Sequence, residues 1–407
     1  MAGGTSRGTA QARTKGWRAL PRTVWAFGLV SLFMDGSSEL IHSLLPVFLV
    51  STLGAAPAML GLIEGAAEAV VAVVKVFSGW ISDRLGRRKL LTLVGYGLAA
   101  LSKPLFPLAR SPFDVFAARL LDRTGKGIRG APRDALIADV TPAEIRGLGF
   151  GVRQAMDTAG ALIGPLAAMG LMFVLAGDIR AVFWWALVPA AACMLFLELG
   201  VDEPAGQGPR STPFPLSGSA ARALGRSFWL ITAAAAIFTL ARFSEAFLVL
   251  RASRLGLQIE LTPLVLVVMN AVYALTAAPA GALSDRWGRR RPLALAIVVL
   301  IAADLVLAVA SSPVMALVGA GLWGLHMGLG QGLLSALVAD FAPAEARGTA
   351  FGLFNLVTGA ATLAASALAG VLWQTAGPGA TFAAGAAFAL VSLLALPLLP
   401  RSPVRGA

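Results

Sequence analysis

The chain has 407 residues, 57% of them hydrophobic and only 13% charged, with a mean hydropathy of +0.78. A soluble domain of this length carries roughly twice that share of charge, so the composition excludes an ordinary soluble enzyme or binding module. A formal net charge of +12 would suggest nucleic acid in a soluble chain; here the cations gather in short loops between apolar runs, where they orient a membrane protein.

The first residues, with Arg7, Arg13, Lys15 and Arg18, are polar and basic, without the apolar core or cleavage-type end of a signal peptide. A cytoplasmic tail over 1–21 is expected. Long apolar runs rich in Gly and Ala then predict an all-α polytopic fold of twelve spans: 22–50, 58–82, 90–109, 113–140, 146–175, 180–200, 226–252, 261–284, 292–311, 313–341, 347–374 and 378–400. Residues 201–225, with Pro204, Gly206, Gly208, Pro209, Pro213 and Pro215, have linker composition and divide the chain into halves at 22–200 and 226–400. A short tail occupies 401–407. Cys193, alone of its kind, lies within an apolar run, so no intrachain disulfide is expected.

Span 1 holds Asp35, Glu39 and His42 at i, i+4 and i+7, one helical face. Ionised groups in a bilayer are costly and face a cavity or a partner, so this stripe either moves a proton or a cation or ties span 1 to its neighbours. Between spans 2 and 3 stands Gly79-Trp-Ile-Ser-Asp-Arg-Leu-Gly-Arg-Arg-Lys89, a charged, Gly-broken turn. Span 4 carries Arg119, Arg123, Lys126 and Arg133 at helical spacing, with Asp122, Arg129 and Asp134 beside them. This excess of cations either meets an anionic substrate or is neutralised by Asp35, Glu39, Glu64 and Glu68; the sequence leaves both open. In span 5, Arg153 and Asp157 are four apart and read as an internal pair.

In the second half, span 7 offers Arg242 and Glu245, and span 10 offers His326. The two histidines, His42 and His326, suit a pH-responsive or substrate-contacting role, against the plainer reading of hydrogen-bonded structural groups. Two histidines and no useful cysteine make a dedicated metal cage unexpected. The turn returns as Gly281-Ala-Leu-Ser-Asp-Arg-Trp-Gly-Arg-Arg-Arg291, and Thr141-Pro-Ala-Glu-Ile-Arg-Gly147 returns as Ala342-Pro-Ala-Glu-Ala-Arg-Gly348. Two matched pairs at a constant offset of about 200 residues mark a duplicated unit. Cations at these turns, in the linker and in both tails fall on one side, so both termini are expected in the cytoplasm, at the inner membrane of a bacterium. Arg110, Arg180, Arg251 and Arg254 are scattered on the other side.

The paired loops, Gly79, Asp83, Arg84, Gly86, Arg87 and Arg88 with Gly281, Asp285, Arg286, Gly288, Arg289 and Arg290, resemble the signature of the major facilitator superfamily. The resemblance extends over essentially the whole chain. It implies two pseudo-symmetric six-helix bundles, a central cavity lined by spans 1, 4, 7 and 10, and alternating access driven by an ion gradient in a monomer. It gives the loop charges a gating role: the carboxylates would pair with cations and with a neighbouring helix N-terminus, locking the outward-open state. Arg123 with Gly127 resembles the superfamily's span-4 arginine motif, although Lys126 replaces the usual uncharged residue. Gly151, Gly160, Gly164 and Pro165 resemble the antiporter motif of its exporters, without the closing Gly pair. Asp35 to Glu39 and Gly125 to Asp134 resemble a poorly characterised bacterial and archaeal subgroup with some metal-resistance-linked members.

No phosphate-binding Gly-Lys-Ser/Thr loop is present and nothing resembles a hydrolase triad, so no enzyme, cofactor or resident metal is expected. The leading expectation is a proton-coupled exporter whose partners are a small solute, protons and the bilayer, with no nucleic acid. The alternatives are uptake of an anionic solute or metal chelate, and a non-transporting membrane sensor.

Overall fold

The computed structural model of the chain describes residues 19–203, 216, 224–287, 289–330, 333–341 and 347–398. Side chains of 143, 282–287, 335–336, 339–340 and 347–348 also fall outside the description. The basic N-terminal tail, nearly all of the linker, Gly288, and the turn at 342–346 therefore lie outside the described residues.

No strand occurs among the described residues. The principal helices are α1 (Arg22–His42), α2 (Pro57–Leu85), α3 (Arg88–Ser102), α4 (Pro112–Val140), α5 (Arg146–Val174), α6 (Leu187–Gly200), α7 (Arg226–Leu240), α8 (Leu264–Trp287), α9 (Arg290–Val309), α10 (Pro313–Gly330), α11 (Arg347–Ala376) and α12 (Pro378–Ala395). Nine helical segments among the described residues are long and apolar enough to cross a membrane. The other three expected spans correspond to α2, with Glu64, Glu68 and Lys75 inside it, to the highly charged α4, and to α7, which is short.

Local chemistry sets the helix ends. Proline in the first turn of α2, α4 and α12 sits where no amide partner is needed. Ser111 and Asp114 form a reciprocal capping box at the start of α4. Gly86 closes α2 with a φ of +63°, a conformation glycine adopts without strain. That is the structural reason for this glycine in the charged turn.

The same neighbours recur in both halves: α1 packs on α5 and α6, as α7 packs on α11 and α12, and α4 joins α2 and α3 as α10 joins α8 and α9. Across the halves, α2 meets α11 and α5 meets α8. The architecture is therefore an all-α, pseudo-symmetric membrane fold of two bundles. The bundles approach most closely where glycines remove side chains. A Cβ on Gly61 would strike the Ser366 carbonyl oxygen, and one on Gly370 would lie 2.6 Å from the Pro57 carbonyl oxygen. These contacts lie on the segments of α2 and α11 far from the arginine-rich turns. Leu45–Val47, beyond the end of α1, also packs against Ala246–Arg254 at that end.

Two expectations need correction. Span 7 is not a continuous helix over 226–252: α7 ends at Leu240 and a second segment runs Ala246–Arg254. Side-chain hydroxyls take over at the break, where the Ser244 N–H donates to Ser366 Oγ (3.1 Å) and the Ala246 N–H to Ser244 Oγ (3.2 Å). In span 5, Gly151 is not a packing position, since a Cβ there would meet nothing within 4 Å. Gly164 is one, as its Cβ would lie 2.7 Å from the Gly36 carbonyl oxygen, and Gly160 faces Leu32 equally closely. The helix continues through Pro165.

Candidate functional site

The four-residue spacing of Glu64 and Glu68 puts both on one face of α2, and Arg119, Arg123 and Lys126 share a face of α4. Gly127 lets these helices close on each other, since a Cβ there would lie 2.7 Å from Val74 Cβ. Charged side chains therefore bridge a short gap. Glu64 accepts two hydrogen bonds from Arg119, at 3.1 Å from Nε and 2.7 Å from Nη2. Arg123 pairs with Glu68 at 3.3 Å.

From Glu64 the polar contacts form a closed circuit. His42 bridges two acids, with Nε2 3.2 Å from Glu64 and Nδ1 3.3 Å from Glu39. On the other side, Arg119 approaches Asp122 (3.9 Å), which accepts a hydrogen bond from Lys103 Nζ at 2.8 Å. Lys103 also donates to Ser38 Oγ at 2.8 Å, returning the circuit to α1. Glu64, Arg119, Asp122 and Lys103 are each at most 4% exposed. The circuit holds three acids (Glu39, Glu64, Asp122) against two basic groups besides His42 (Arg119, Lys103). It is neutral only with one more proton, and the Glu39–His42 pair is where a proton can reside.

Asp35 does not join this circuit. It faces Arg129 at 3.7 Å, and Arg129 stacks its guanidinium 4.3 Å from the centre of the Tyr96 ring. Arg133 pairs with Asp134 (3.0 Å) and Arg153 with Asp157 (3.5 Å). The cations of α4 are thus largely neutralised internally, the second of the two accounts open from sequence. Lys126 makes no ion pair among the described residues and remains exposed.

The second half contributes a different lining. His326 is buried, its Nδ1 hydrogen donating to the Ala296 carbonyl oxygen (2.8 Å), while Nε2 has no partner among the described residues. Phe238 and Trp323 present ring edges to it, at 5.6 and 6.4 Å between centres. Phe243 stands 5.4 Å from Trp323 and 5.5 Å from Phe382. Arg242 lies over Phe238 at 5.7 Å, and its Nε is buried without a partner among the described residues.

A cavity of about 500 Å³ lies between the halves. Glu39, His42, Glu64, Glu68, Arg123 and Lys126 line one wall, and Arg242, Glu245, Trp323 and His326 the other. Asp35, Arg119, Asp122 and Arg129 lie behind that wall in the ion-pair networks. Among the described residues no group of three or more His, Cys, Asp or Glu is placed to hold a metal ion.

At the charged turn, Arg88 pairs with Asp83 (3.3 Å) and also with Asp139 at the end of α4. Arg84 stacks on Trp80 at 4.5 Å, and Arg87 is exposed. Gly79 faces Ala131 of α4, where a Cβ would come within 3.3 Å. These contacts stay within the first half. In the second copy, Gly281 and the backbone of Asp285 and Arg286 belong to α8, and Arg290 opens α9 after Arg289. The side chains of Asp285 and Arg286 lie outside the described residues.

Three functional candidates escape a reading by sequence. Lys103, 1% exposed, falls inside span 3 as drawn, but nothing along the sequence names its partner. Ser366 reads as a small packing residue, yet it holds the break after α7. Asp304 is a single acid in an apolar run, and its environment is set by helices distant in sequence.

A match to the family described as Major Facilitator Superfamily covers residues 27–272 and 246–407. An uncharacterised MFS-type transporter of Methanocaldococcus jannaschii is 32% identical over 93% of this chain and 95% of its own length. Multidrug resistance protein MdtH of Photorhabdus laumondii is 30% identical over 32% of this chain and 33% of its own length. Among solved structures, a point mutant of the nucleoside transporter NupG superposes with a TM-score of 0.78 at 12% identity, covering 93% of this chain and 100% of that one.

Proposed function

The chain belongs to the Major Facilitator Superfamily, and from that premise we propose that it is a proton-coupled secondary transporter exporting a small solute across a bacterial cytoplasmic membrane. The observation that carries the proposal is the unbalanced circuit on the cavity wall, three acids against two basic groups besides His42, with the Glu39–His42 pair open to the cavity. Protonation there neutralises the circuit; loss of that proton leaves a net negative charge that a cationic group of a solute, or a movement of Lys126, would offset. Solute and proton then compete for one charge, which is the simplest physical route to antiport. The local similarity to a multidrug resistance protein supports the outward direction.

The moving bodies in this reading are the halves 22–200 and 226–400, joined by the linker 201–225, in a monomer. With the cation-rich turns in the cytoplasm, both termini are cytoplasmic and the glycine contacts between α2 and α11 close the external end. The form described is then cytoplasm-facing. The Asp83–Arg88–Asp139 cluster holds the turn against α4 in this form, and contacts across the halves at that end would be made in the opposite one.

Lys126 and Arg242, from opposite walls, favour a solute that also carries an anionic or strongly dipolar group, while Trp323 and Phe243 suit an apolar or aromatic portion. The test is transport in proteoliposomes of the intact protein, after a thermal-stabilisation screen of organic anions, zwitterions and lipophilic cations at two pH values. Antiport requires that an imposed proton gradient drive solute against the proton flow, and that Glu39→Gln lose this coupling. Solute accumulating with the protons would replace export by uptake. A ligand that binds yet never moves would replace transport by sensing.

A further inference from the structure

Asp304 lies in an apolar stretch of the C-terminal half of α9, fully buried, and neither carboxyl oxygen has a hydrogen-bond partner among the described residues. It fits a notch in α12: a Cβ on Gly385 would lie 2.6 Å from Asp304 Oδ2 and 3.0 Å from Phe243 Cε1. The carboxyl therefore sits directly behind Phe243, and Phe243 lines the central cavity.

The charged groups around it are otherwise engaged or distant. Arg251, which reaches α9 from the segment after the break, donates to the carbonyls of Leu307 (3.1 Å), Ala308 (3.3 Å) and Ala310 (2.7 Å). From α10, His326 meets α9 at Ala296, about two turns from Asp304. No residue of α12 is ionisable. On α8, Tyr273 is the titratable side chain described, and those of Asp285 and Arg286 lie outside the description. On α9 itself, Arg290 and Arg291 are over three turns away. Arg242 and Glu245 flank Phe243 on the cavity wall.

An ionised carboxylate in such a site would have neither counter-ion nor donor, a condition that folded proteins avoid by neutralising the group. We propose that Asp304 carries a proton in this form and is a proton site of the C-terminal half, opened to the cavity by displacement of Phe243. Phe243 is suited to that role because it belongs to the break after α7, where Ser244 and Ser366 replace regular helical hydrogen bonds. In another conformation the ring would leave the notch, and the carboxyl would meet cavity water and release the proton. The use of this proton in transport rests on the proton-coupled reading above; its presence does not.

Infrared spectroscopy of the intact protein in lipid at neutral pH tests this without any solute. The native protein should show the carbonyl band of a neutral carboxylic acid. One carboxyl's share of that absorption should be lost in Asp304→Asn, shift in frequency in Asp304→Glu, and persist in Glu39→Gln. In Phe243→Ala it should exchange with deuterium at least tenfold faster than in the native protein. A band of unchanged intensity in Asp304→Asn, at native secondary structure, overturns the site; an unchanged exchange rate in Phe243→Ala overturns the gate. Failure of gradient-driven transport with the band intact would sink the antiport reading alone and leave the protonated Asp304 standing.

Discussion

The two halves repeat one helix arrangement and fill it with different chemistry. In the first, α1, α2 and α4 meet through a closed circuit of charges, with Arg119, Lys103 and Asp122 nearly inaccessible. In the second, Phe243 of the break after α7 packs on Trp323 of α10 and Phe382 of α12, and α10 meets α8 through glycine contacts such as Gly324 against the Met269 backbone. The duplicated backbone thus separates two emphases: one wall of the cavity is built on an ion-pair circuit with a titratable pair, the other on aromatic surface into which Arg242, Glu245 and His326 are set. A buried charge network demands complete satisfaction, whereas aromatic packing tolerates rearrangement, so the second wall is where solute selectivity can vary cheaply.

The sharpest way to break this contrast is to remove one charge. Glu64→Gln leaves Arg119 buried with its fork half-satisfied, and a loss of up to about 5 kcal/mol in stability is expected, as for other buried pairs stripped of a partner. Thermal unfolding of the detergent-purified protein measures it. Asp304→Asn, the removal of an acid from the second half, should change the midpoint little. Equal losses in both would mean that the halves do not differ in how they hold charge.

On the aromatic wall the expected loss is about 3 kcal/mol for Trp323→Ala, from the cavity left behind Phe243 and His326. Trp323→Phe should recover most of the stability while changing which ligands stabilise the protein in the screen. If the ligand ranking is unchanged by Trp323→Phe, selectivity does not reside on this wall.

Span 5 gives a graded test within a single motif. Gly160→Ala should cost roughly 1–3 kcal/mol, because the new methyl meets the α1 backbone at Leu32, whereas Gly151→Ala should stay within about 0.5 kcal/mol. Chemical denaturation of the two variants side by side checks the difference.

That difference also marks how far the sequence reaches. The spans, the duplication and the charged turns were legible because each is a local pattern: an apolar run, a glycine-broken turn, a repeat. The internal neutralisation of α4 was open as one of two accounts, since spacing placed Glu64 and Arg119 on helical faces but not facing each other. Lys103 was illegible because its partner Asp122 is carried on the next helix. The break after α7 was illegible for the same kind of reason: its replacement hydrogen bond comes from Ser366, far along the chain. Glycine spacing named Gly151 and Gly160 alike, and only the position of α1 separates them.

The smallest expected effect bears on the motion. Ser366 accepts the Ser244 N–H at 3.1 Å and, through its backbone, stands against Gly61 at the closed end between the halves. Ser366→Ala removes the acceptor and leaves that N–H unpaired, a cost of about 1 kcal/mol if nothing else moves. Because the lost bond pins the break, the variant should also loosen Phe243, and amide hydrogen exchange over 241–246 should quicken while exchange in α1 and α5 stays unchanged. The first half offers the control. Its corresponding helix pair, α1 with α5, meets through close backbone approaches at Gly160 and Gly164 and through the Asp35 and Asp157 carboxyls, with no hydroxyl bridging the two helices among the described residues. Exchange that quickens equally in α1 would show one cooperative unit spanning both bundles, and the division of labour between the walls would then not extend to their dynamics.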